Sequence, residues 1–409
     1  MRFLLPLTFL ALCSPLLADE KPFFFQKSDK IVFLGDSITE QYQYSTYIEL
    51  YLTTRFPEWD LTFLNAGIGG DTANGGANRF QSHVLDEKPT AITINFGMND
   101  AGYGKFDPTR NKQYVEKTTA MLEMAKKAGV RVGLVSPNAV DRRGRPNFAV
   151  YVETQKEFYA PLKDLASKSG SSFVDQYAVT RAALEKMEVA KADKVVPFGD
   201  GFHTSSPGGL LMAHAILTGL GAPSHGSSVT INLVPGENQI QAQGCKIENV
   251  ASKNKGIAFD QTDSSIPMPI QKDWVSLLPY VNDLKDLNVY SLTVKGLGRG
   301  EYTIAVDGVA VANASHGQLA DGINLGNGTS GPVYDQGAKA FQAIQAKNQI
   351  VHNRFRNVLM FNAPDWLADV AKERKPVEMA KKKEQIDAKQ KEIYALVKPI
   401  TRKVSITPK

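Results

Sequence analysis

The alternation of short apolar runs with amphipathic stretches between residues 30 and 222 constrains the fold of this sequence more than any other feature. The apolar runs are rich in β-branched and aromatic residues, as in strands buried on both faces; they cover residues 30–34, 61–65, 91–96, 131–135 and 172–175. Helical patterns occupy residues 45–56, 110–128, 152–169 and 206–221. Strands and helices that alternate in this way form a parallel sheet with helices on both faces. We therefore predict an α/β fold around a five-stranded parallel sheet.

The pattern changes after about residue 224. Residues 228–234 and 291–297 alternate with a period of two, and residues 302–311 carry the hairpin signal Asp307-Gly308. These features predict a small antiparallel, β-rich accessory unit over residues 225–330. Residues 331–409 are predicted to form a helical C-terminal region, interrupted at its two late prolines, Pro376 and Pro399.

The first 18 residues differ from the rest of the chain. Arg2 precedes a short apolar run that ends at Ala18, a pattern that predicts a secretory signal over residues 1–18 and a secreted or periplasmic location. An uncleaved membrane anchor is the alternative. No later apolar run approaches the ~20 residues that a bilayer crossing needs, so we expect no stable membrane span after cleavage. Cys245 would then be the one cysteine of the mature chain, which excludes an intrachain disulfide and a thiolate metal cluster.

The net charge of +5 is concentrated near the C-terminus. Residues 366–409 contain 12 lysines and arginines against 6 acidic residues. The remainder of the mature chain is therefore slightly acidic and has no basic stripe of the kind that binds nucleic acid. We expect no nucleic-acid partner.

Four short polar segments follow predicted strands or lead into the last helix. They are Gly35-Asp36-Ser37 and the segments 65–72 (NAGIGGDT), 96–100 (FGMND) and 200–209 (DGFHTSSPGG). Because loops that follow the strands of a doubly wound sheet converge at one edge, we expect these segments to share a cleft.

The residue types in this cleft match the needs of acyl transfer. The hydroxyl of Ser37 is a nucleophile that requires a neighbouring base, which His203 can supply, and Asp200 can orient the imidazole. The backbone N–H groups of Ser37 and Gly70 and the side-chain amide of Asn99 can stabilise an oxyanion. The alternatives are structural: Ser37 can serve as a turn residue, Asn99 can cap a helix, and His203 can be an ordinary hydrogen-bonded histidine.

The order of the motifs GDS, GGDT, GMND and DGFH resembles that of the SGNH (GDSL) hydrolases, a family of secreted esterases and lipases. The resemblance covers about residues 30–222 and predicts an SGNH hydrolase domain over residues 19–224. It implies a flavodoxin-like three-layer sandwich, Ser37 as nucleophile, Asp200 and His203 as its triad partners, and Gly70 and Asn99 in the oxyanion hole. The family often has proline directly after the histidine, whereas this chain has Thr204.

The resemblance implies a serine esterase that cleaves carboxylic esters through an acyl-serine intermediate and needs no cofactor. The substrates that are common in this family and the predicted export favour a short acyl group, most simply acetyl, on a carbohydrate. The expected partner is therefore an acetylated polysaccharide. A catalytically weak or inactive glycan-binding protein and an O-acyltransferase are the alternatives.

Arg142 and Arg143 follow the fourth strand and are candidates for binding an anionic substrate, or are simply loop residues. We predict no metal site, because Asp200 and His203 have no third ligand at suitable spacing; the oligomeric state and the role of residues 225–409 stay open.

Overall fold

A five-stranded parallel sheet forms the centre of the first half of the chain. The computed structural model describes residues 22–143, 146–253 and 255–409, so the predicted signal (1–18) lies outside the described residues. The strands of the sheet are β1 (Lys30–Gly35), β2 (Thr62–Gly67), β3 (Ala91–Asn95), β4 (Arg131–Val135) and β5 (Ser172–Val174). Their spatial order is β2-β1-β3-β4-β5, which is the flavodoxin-like order. The α/β fold expected from the apolar runs is therefore confirmed.

Nine helices connect and cover these strands in the described part of this half of the chain. They are α1 (Ser37–Glu40), α2 (Gln43–Arg55), α3 (Ala73–His83), α4 (Met98–Ala101), α5 (Pro108–Lys127), α6 (Ala149–Tyr159), α7 (Leu162–Ser169), α8 (Gln176–Val189) and α9 (Ser206–Gly219). The strand order reverses at β1 and β3, the neighbouring central strands: β2 is added on one side of β1, and β3, β4 and β5 are added on the other. In open α/β sheets such a switch point is where a ligand crevice opens, at the carboxyl ends of the strands.

The accessory unit consists of two sheets packed face to face. One sheet has the order β13-β10-β6-β7 and the other β12-β11-β14-β9-β8, formed by β6 (His225–Asn232), β7 (Gln239–Gln243), β8 (Cys245–Lys253), β9 (Gly256–Asp263), β10 (Val289–Lys295), β11 (Glu301–Val306), β12 (Val309–Ser315), β13 (Ile323–Asn324) and β14 (Arg402–Pro408). A short helix, α10 (His316–Asp321), follows the hairpin at Asp307-Gly308, whose two residues have φ of 50° and 80°. The unit is mostly antiparallel as expected, but β6 and β10 pair in parallel.

The C-terminal region is largely helical. It contains α11 (Pro332–Asn353), a π-helical turn (Arg354–Leu359) and α12 (Ala368–Leu396). The expected interruption at Pro376 is wrong, since α12 continues through this residue, which lies exposed on the helix surface. Solvent can hydrate the carbonyl group that the proline leaves without a donor. The region also ends in strand β14, which differs from the purely helical expectation.

Two large hydrophobic cores hold the molecule together. The first fills the space around the parallel sheet and includes Trp274, Ile344 and Ile393, so the helices of the C-terminal region pack against the α/β domain. The second lies between the two sheets of the accessory unit.

The division of the chain into separate folding units at residues 224/225 and 330/331 stays a prediction. None of the helices in the described ranges combines the length and apolar character that a bilayer crossing needs.

Candidate active site

The turn after β1 places Ser37 at the carboxyl edge of the sheet. Asp36 caps α1, because its side chain accepts a hydrogen bond from the backbone N–H of Ile38 (3.0 Å). Gly35 lies so close to its surroundings that an added Cβ would stand 2.1 Å from the Thr39 hydroxyl and 2.7 Å from a backbone carbonyl of β3. Gly35 therefore permits the close packing of this strand end, and Asp36 caps the helix that begins with Ser37.

The structure brings Ser37, His203 and Asp200 into one chain of hydrogen bonds. The Ser37 Oγ lies 2.8 Å from His203 Nε2, and His203 Nδ1 lies 2.7 Å from Asp200 Oδ2. When Nδ1–H donates to Asp200, Nε2 is left as the acceptor for the Ser37 hydroxyl. The other carboxylate oxygen, Oδ1, accepts the backbone N–H of His203 at 2.8 Å and that of Phe202 at 3.2 Å.

The surroundings of Asp200 keep its carboxyl group ionised. Burial opposes ionisation, but the hydrogen bonds from the His203 side chain and from the backbone of Phe202 and His203 outweigh it, so the pKa of Asp200 lies below its ordinary value. A carboxylate in this position fixes the imidazole orientation and stabilises the imidazolium that forms when His203 takes a proton.

Asn99 is bound to the loop that carries Gly70. Gly70 has φ +74°, and a Cβ built on it would meet no atom within 4 Å, so this turn borders open space. The Asn99 amide Nδ2 donates to the carbonyl of Asp71 (2.9 Å), and its Oδ1 accepts from the Tyr103 hydroxyl (2.7 Å). Only one of the two amide hydrogens of Asn99 is used by that bond, which leaves the second as a donor for a ligand oxygen.

The loop that carries Gly70 is braced by the C-terminal region. The backbone N–H of Gly69 donates to Glu40 Oε2 at 2.5 Å, and Glu40 Oε1 pairs with Arg356 Nε at 3.1 Å. Arg356 belongs to the π-helical turn after α11. A residue more than 280 positions away in sequence from the loop therefore helps to hold it.

Two buried carboxyl groups lie behind the cleft. Burial raises the pKa of Asp36 to about 7, and it raises the pKa of Asp100 to about 7 as well. Asp100 Oδ1 accepts the backbone N–H of Ala73 (2.9 Å), which ties α4 to the start of α3. These carboxyl groups are packing and positioning elements of the two loops, and both become partly protonated near neutral pH.

Arg142 and Arg143 bind other parts of the protein. Arg142 Nε donates to Glu188 (2.9 Å), and Arg143 forms a fork with both carboxylate oxygens of Asp141 (2.9 and 2.8 Å). Arg143 also donates to the carbonyls of Ala192 and Val195, each at 3.2 Å. The arginines therefore stabilise the loop before His203, and the structure brings neither of them into contact with Ser37 or His203.

An aromatic wall beside His203 is a part of the site that the sequence did not predict. Phe202 lies 4.5 Å from the His203 ring, and Tyr103 lies 5.2 Å from Phe202 and 5.3 Å from Phe148, measured between ring centroids. Tyr103 also donates its hydroxyl to Asn99, so it links this wall to the predicted oxyanion-hole residue. Its position four residues after Asn99 is the signal that the sequence offers. Among the residues that the structure describes, no cluster of three His, Cys, Asp or Glu side chains is arranged to hold a metal ion.

Comparisons with known proteins identify relatives of the α/β domain. Residues 33–208 match the model of the GDSL-like Lipase/Acylhydrolase family. An uncharacterized lipoprotein of Bacillus subtilis is 33% identical over 139 residues, which span 33% of this chain but only 55% of that protein. An acetylxylan esterase of Geobacillus stearothermophilus is 25% identical over 215 residues, 47% of this chain and 94% of the esterase.

One solved structure resembles almost the whole chain. It is described as a gut microbial diltiazem-metabolizing enzyme and superposes with a TM-score of 0.80 at 24% identity, covering 94% of this chain and 98% of that one. The α/β domain, the accessory unit and the C-terminal helices therefore form an arrangement that another protein shares.

Proposed function

Because residues 33–208 make this chain a member of the GDSL-like lipase/acylhydrolase family, also called the SGNH hydrolases, we propose that it hydrolyses carboxylic esters through an acyl intermediate on Ser37. The observation that carries this proposal is the unbroken hydrogen-bond chain from the Ser37 hydroxyl through His203 to Asp200. A serine hydroxyl is a weak nucleophile alone, and an adjacent oriented imidazole is what activates it.

The proposed reaction has two halves. Ser37 Oγ attacks the ester carbonyl while His203 Nε2 takes the hydroxyl proton, and Asp200 stabilises the resulting imidazolium. The backbone N–H groups of Ser37 and Gly70 and the free amide hydrogen of Asn99 stabilise the oxyanion. His203 then returns its proton to the departing alcohol, which leaves the acyl group on Ser37. In the second half His203 deprotonates a water molecule that attacks the acyl group, and the acid leaves as Ser37 regains its proton.

We propose a short acyl group, most simply acetyl, on a carbohydrate. The relative named acetylxylan esterase supports this choice, since it matches the α/β domain over nearly its full length. A secreted or periplasmic location is part of the same proposal, given the predicted signal and the lipoprotein relative.

The test is the hydrolysis of p-nitrophenyl esters, from acetate to long acyl chains, by the protein and by Ser37→Ala. We expect the highest kcat/KM for acetate and a loss of roughly a thousandfold or more in the variant, because the nucleophile is gone. Ser82→Ala is the matched control, since this exposed serine donates only to the carbonyl of Arg79. If Ser37→Ala and the folded wild-type protein hydrolysed the esters at comparable rates, the proposal would be refuted.

A further inference from the structure

A polar groove lies between the α/β domain and α11. It consists of two adjoining cavities of about 320 and 410 Å³, which share Gln43, Tyr47 and Gln345 in their walls. We call it the amide groove, because its described lining contains seven glutamine and asparagine side chains: Gln41, Gln43, Gln271, Gln342, Gln345, Asn348 and Gln349.

One wall of the amide groove is a stripe along α11. Ala338, Gln342, Gln345, Gln349 and His352 line the cavities, and their spacing of four and three residues places them on one face of the helix. The stripe extends for about 21 Å at the rise of an α-helix. The opposite face of α11 is packed against the protein core. The stripe is therefore the solvent side of a firmly anchored helix.

The glutamines of this stripe are available to a ligand. Gln342, Gln345 and Gln349 are exposed, and within the described part of the chain their amides make no hydrogen bond to protein. Each amide offers two donors and one acceptor oxygen, which is the chemistry that sugar hydroxyls need.

The amide groove borders the histidine loop of the candidate active site. Gln41 directly follows α1, whose first residue is Ser37, and its Oε1 accepts hydrogen bonds from the backbone N–H and the hydroxyl of Thr204, both at 3.0 Å. Thr204 directly follows His203. A proline at this position would have no N–H to give, so the departure from the family pattern at Thr204 is what ties Gln41 to the histidine loop.

The charges of the groove favour an uncharged ligand. Its described lining has no lysine or arginine, while Glu40 and Asp273 contribute carboxylates. The charge of Glu40 is balanced by its ion pair with Arg356, so Asp273 is the carboxylate among the described lining residues that adds net negative charge. An anionic glycan would meet repulsion here, whereas a neutral glycan would meet amides and tyrosine hydroxyls.

We propose that the amide groove binds the backbone of a neutral polysaccharide whose acetylated sugar lies at Ser37. The proposal rests on the proposed esterase function and adds to it the substrate class and the surface that selects it. It also gives α11, and with it the C-terminal region, a role in substrate recognition.

The test compares Gln345→Ala/Gln349→Ala with the unmodified full chain. The substrates are p-nitrophenyl acetate and O-acetylated xylo- and manno-oligosaccharides of increasing length. For the wild type we expect kcat/KM to rise with oligosaccharide length, with O-acetylated oligogalacturonates as poor substrates. In the double variant, the ratio of kcat/KM on the longest oligosaccharide to that on p-nitrophenyl acetate should fall roughly tenfold, since two hydrogen-bonding side chains are lost.

The matched control is Gln239→Ala/Gln241→Ala, which removes two exposed glutamines from β7 and should leave both values of kcat/KM unchanged. An unchanged ratio in the groove variant, or wild-type rates that do not rise with length for either sugar series, would overturn the groove proposal alone. Absence of Ser37-dependent turnover on every ester, p-nitrophenyl acetate included, would instead overturn the proposed function.

Discussion

Asn99 provides the sharpest test of how the cleft stabilises charge. Its Nδ2 donates one hydrogen to the carbonyl of Asp71 at 2.9 Å, and its Oδ1 accepts from Tyr103 at 2.7 Å. These two bonds fix the plane of the amide and leave one N–H without a protein acceptor. In the proposed reaction that N–H meets a full negative charge only after Ser37 has attacked.

The magnitude of the effect follows from this geometry. Removing one donor from an oxyanion site lowers kcat by about 10²–10³, which corresponds to about 2.7–4 kcal/mol of transition-state stabilisation. Asn99→Ala should therefore lower kcat by that factor with little change in KM, because the uncharged ester needs the donor far less than the oxyanion does. Tyr103→Phe should lower kcat by a smaller factor, since it removes only the bond that holds the amide plane.

The assay is steady-state hydrolysis of p-nitrophenyl acetate, with thermal unfolding of each variant measured in parallel. Asn111→Ala is the matched control: Asn111 also donates its amide to a backbone carbonyl, that of Phe158 at 2.8 Å, but outside the cleft. It should keep the wild-type kcat. If Asn99→Ala raised KM and left kcat unchanged, Asn99 would be a substrate-binding residue and the reasoning about the oxyanion would be wrong.

Three further perturbations probe ionisable side chains of the site and the core. Asp200→Asn should lower kcat by about 10⁴, because the asparagine favours the wrong imidazole tautomer; a loss below tenfold in the ester assay would contradict this role. Burial raises the pKa of Asp100 from 3.8 to about 7. The folded state therefore holds a proton that the unfolded chain releases, and the associated stability is full below about pH 4 and is lost as the pH rises through about 7. Asp100→Asn should consequently raise the melting temperature relative to wild type more at pH 8 than at pH 4.5, and equal differences at the two pH values would refute the assignment. Lys347→Met should destabilise the protein by about 3–5 kcal/mol, since it leaves Glu49 buried without its cation; in thermal unfolding, Glu49→Gln/Lys347→Met should recover much of that loss, and a double variant no more stable than the single one would argue against it.

The central sheet and the residues around Ser37 could be predicted because their signals are local. Each strand of the sheet is a nearly continuous apolar run, and Ser37, Asn99 and His203 each follow a strand or lead into a helix. Helix α3 was missed because its sequence, ANGGANRFQSH, contains two glycines, which favour loops over helices. In the structure Gly76 is needed for close packing, since a Cβ there would lie 2.5 Å from the ring of Phe96.

Features that depend on distant partners could not be predicted. The bond from Arg356 to Glu40 and the amide groove both join segments separated by about 300 residues, and a single sequence has no local signal for such contacts. The sequence predicts a helical region up to residue 409 because the segment of β14 follows the long charged helix α12. Its alternating buried residues, Val404 and Ile406, are too few to reveal a strand without the neighbours that cover them.

The position of β14 has a consequence for how the chain is made. This strand lies in the interior of its sheet, with β9 on one side and β11 on the other. Ribosomes synthesise β9 and β11 about 100 or more residues before β14, so both strands wait with unpaired backbone groups on the edges that will face each other. Open strand edges of this kind are templates for pairing with other chains. The accessory unit is therefore most exposed to aggregation during the interval before residues 402–408 emerge, and a chaperone that shields nascent strands would matter most at that stage.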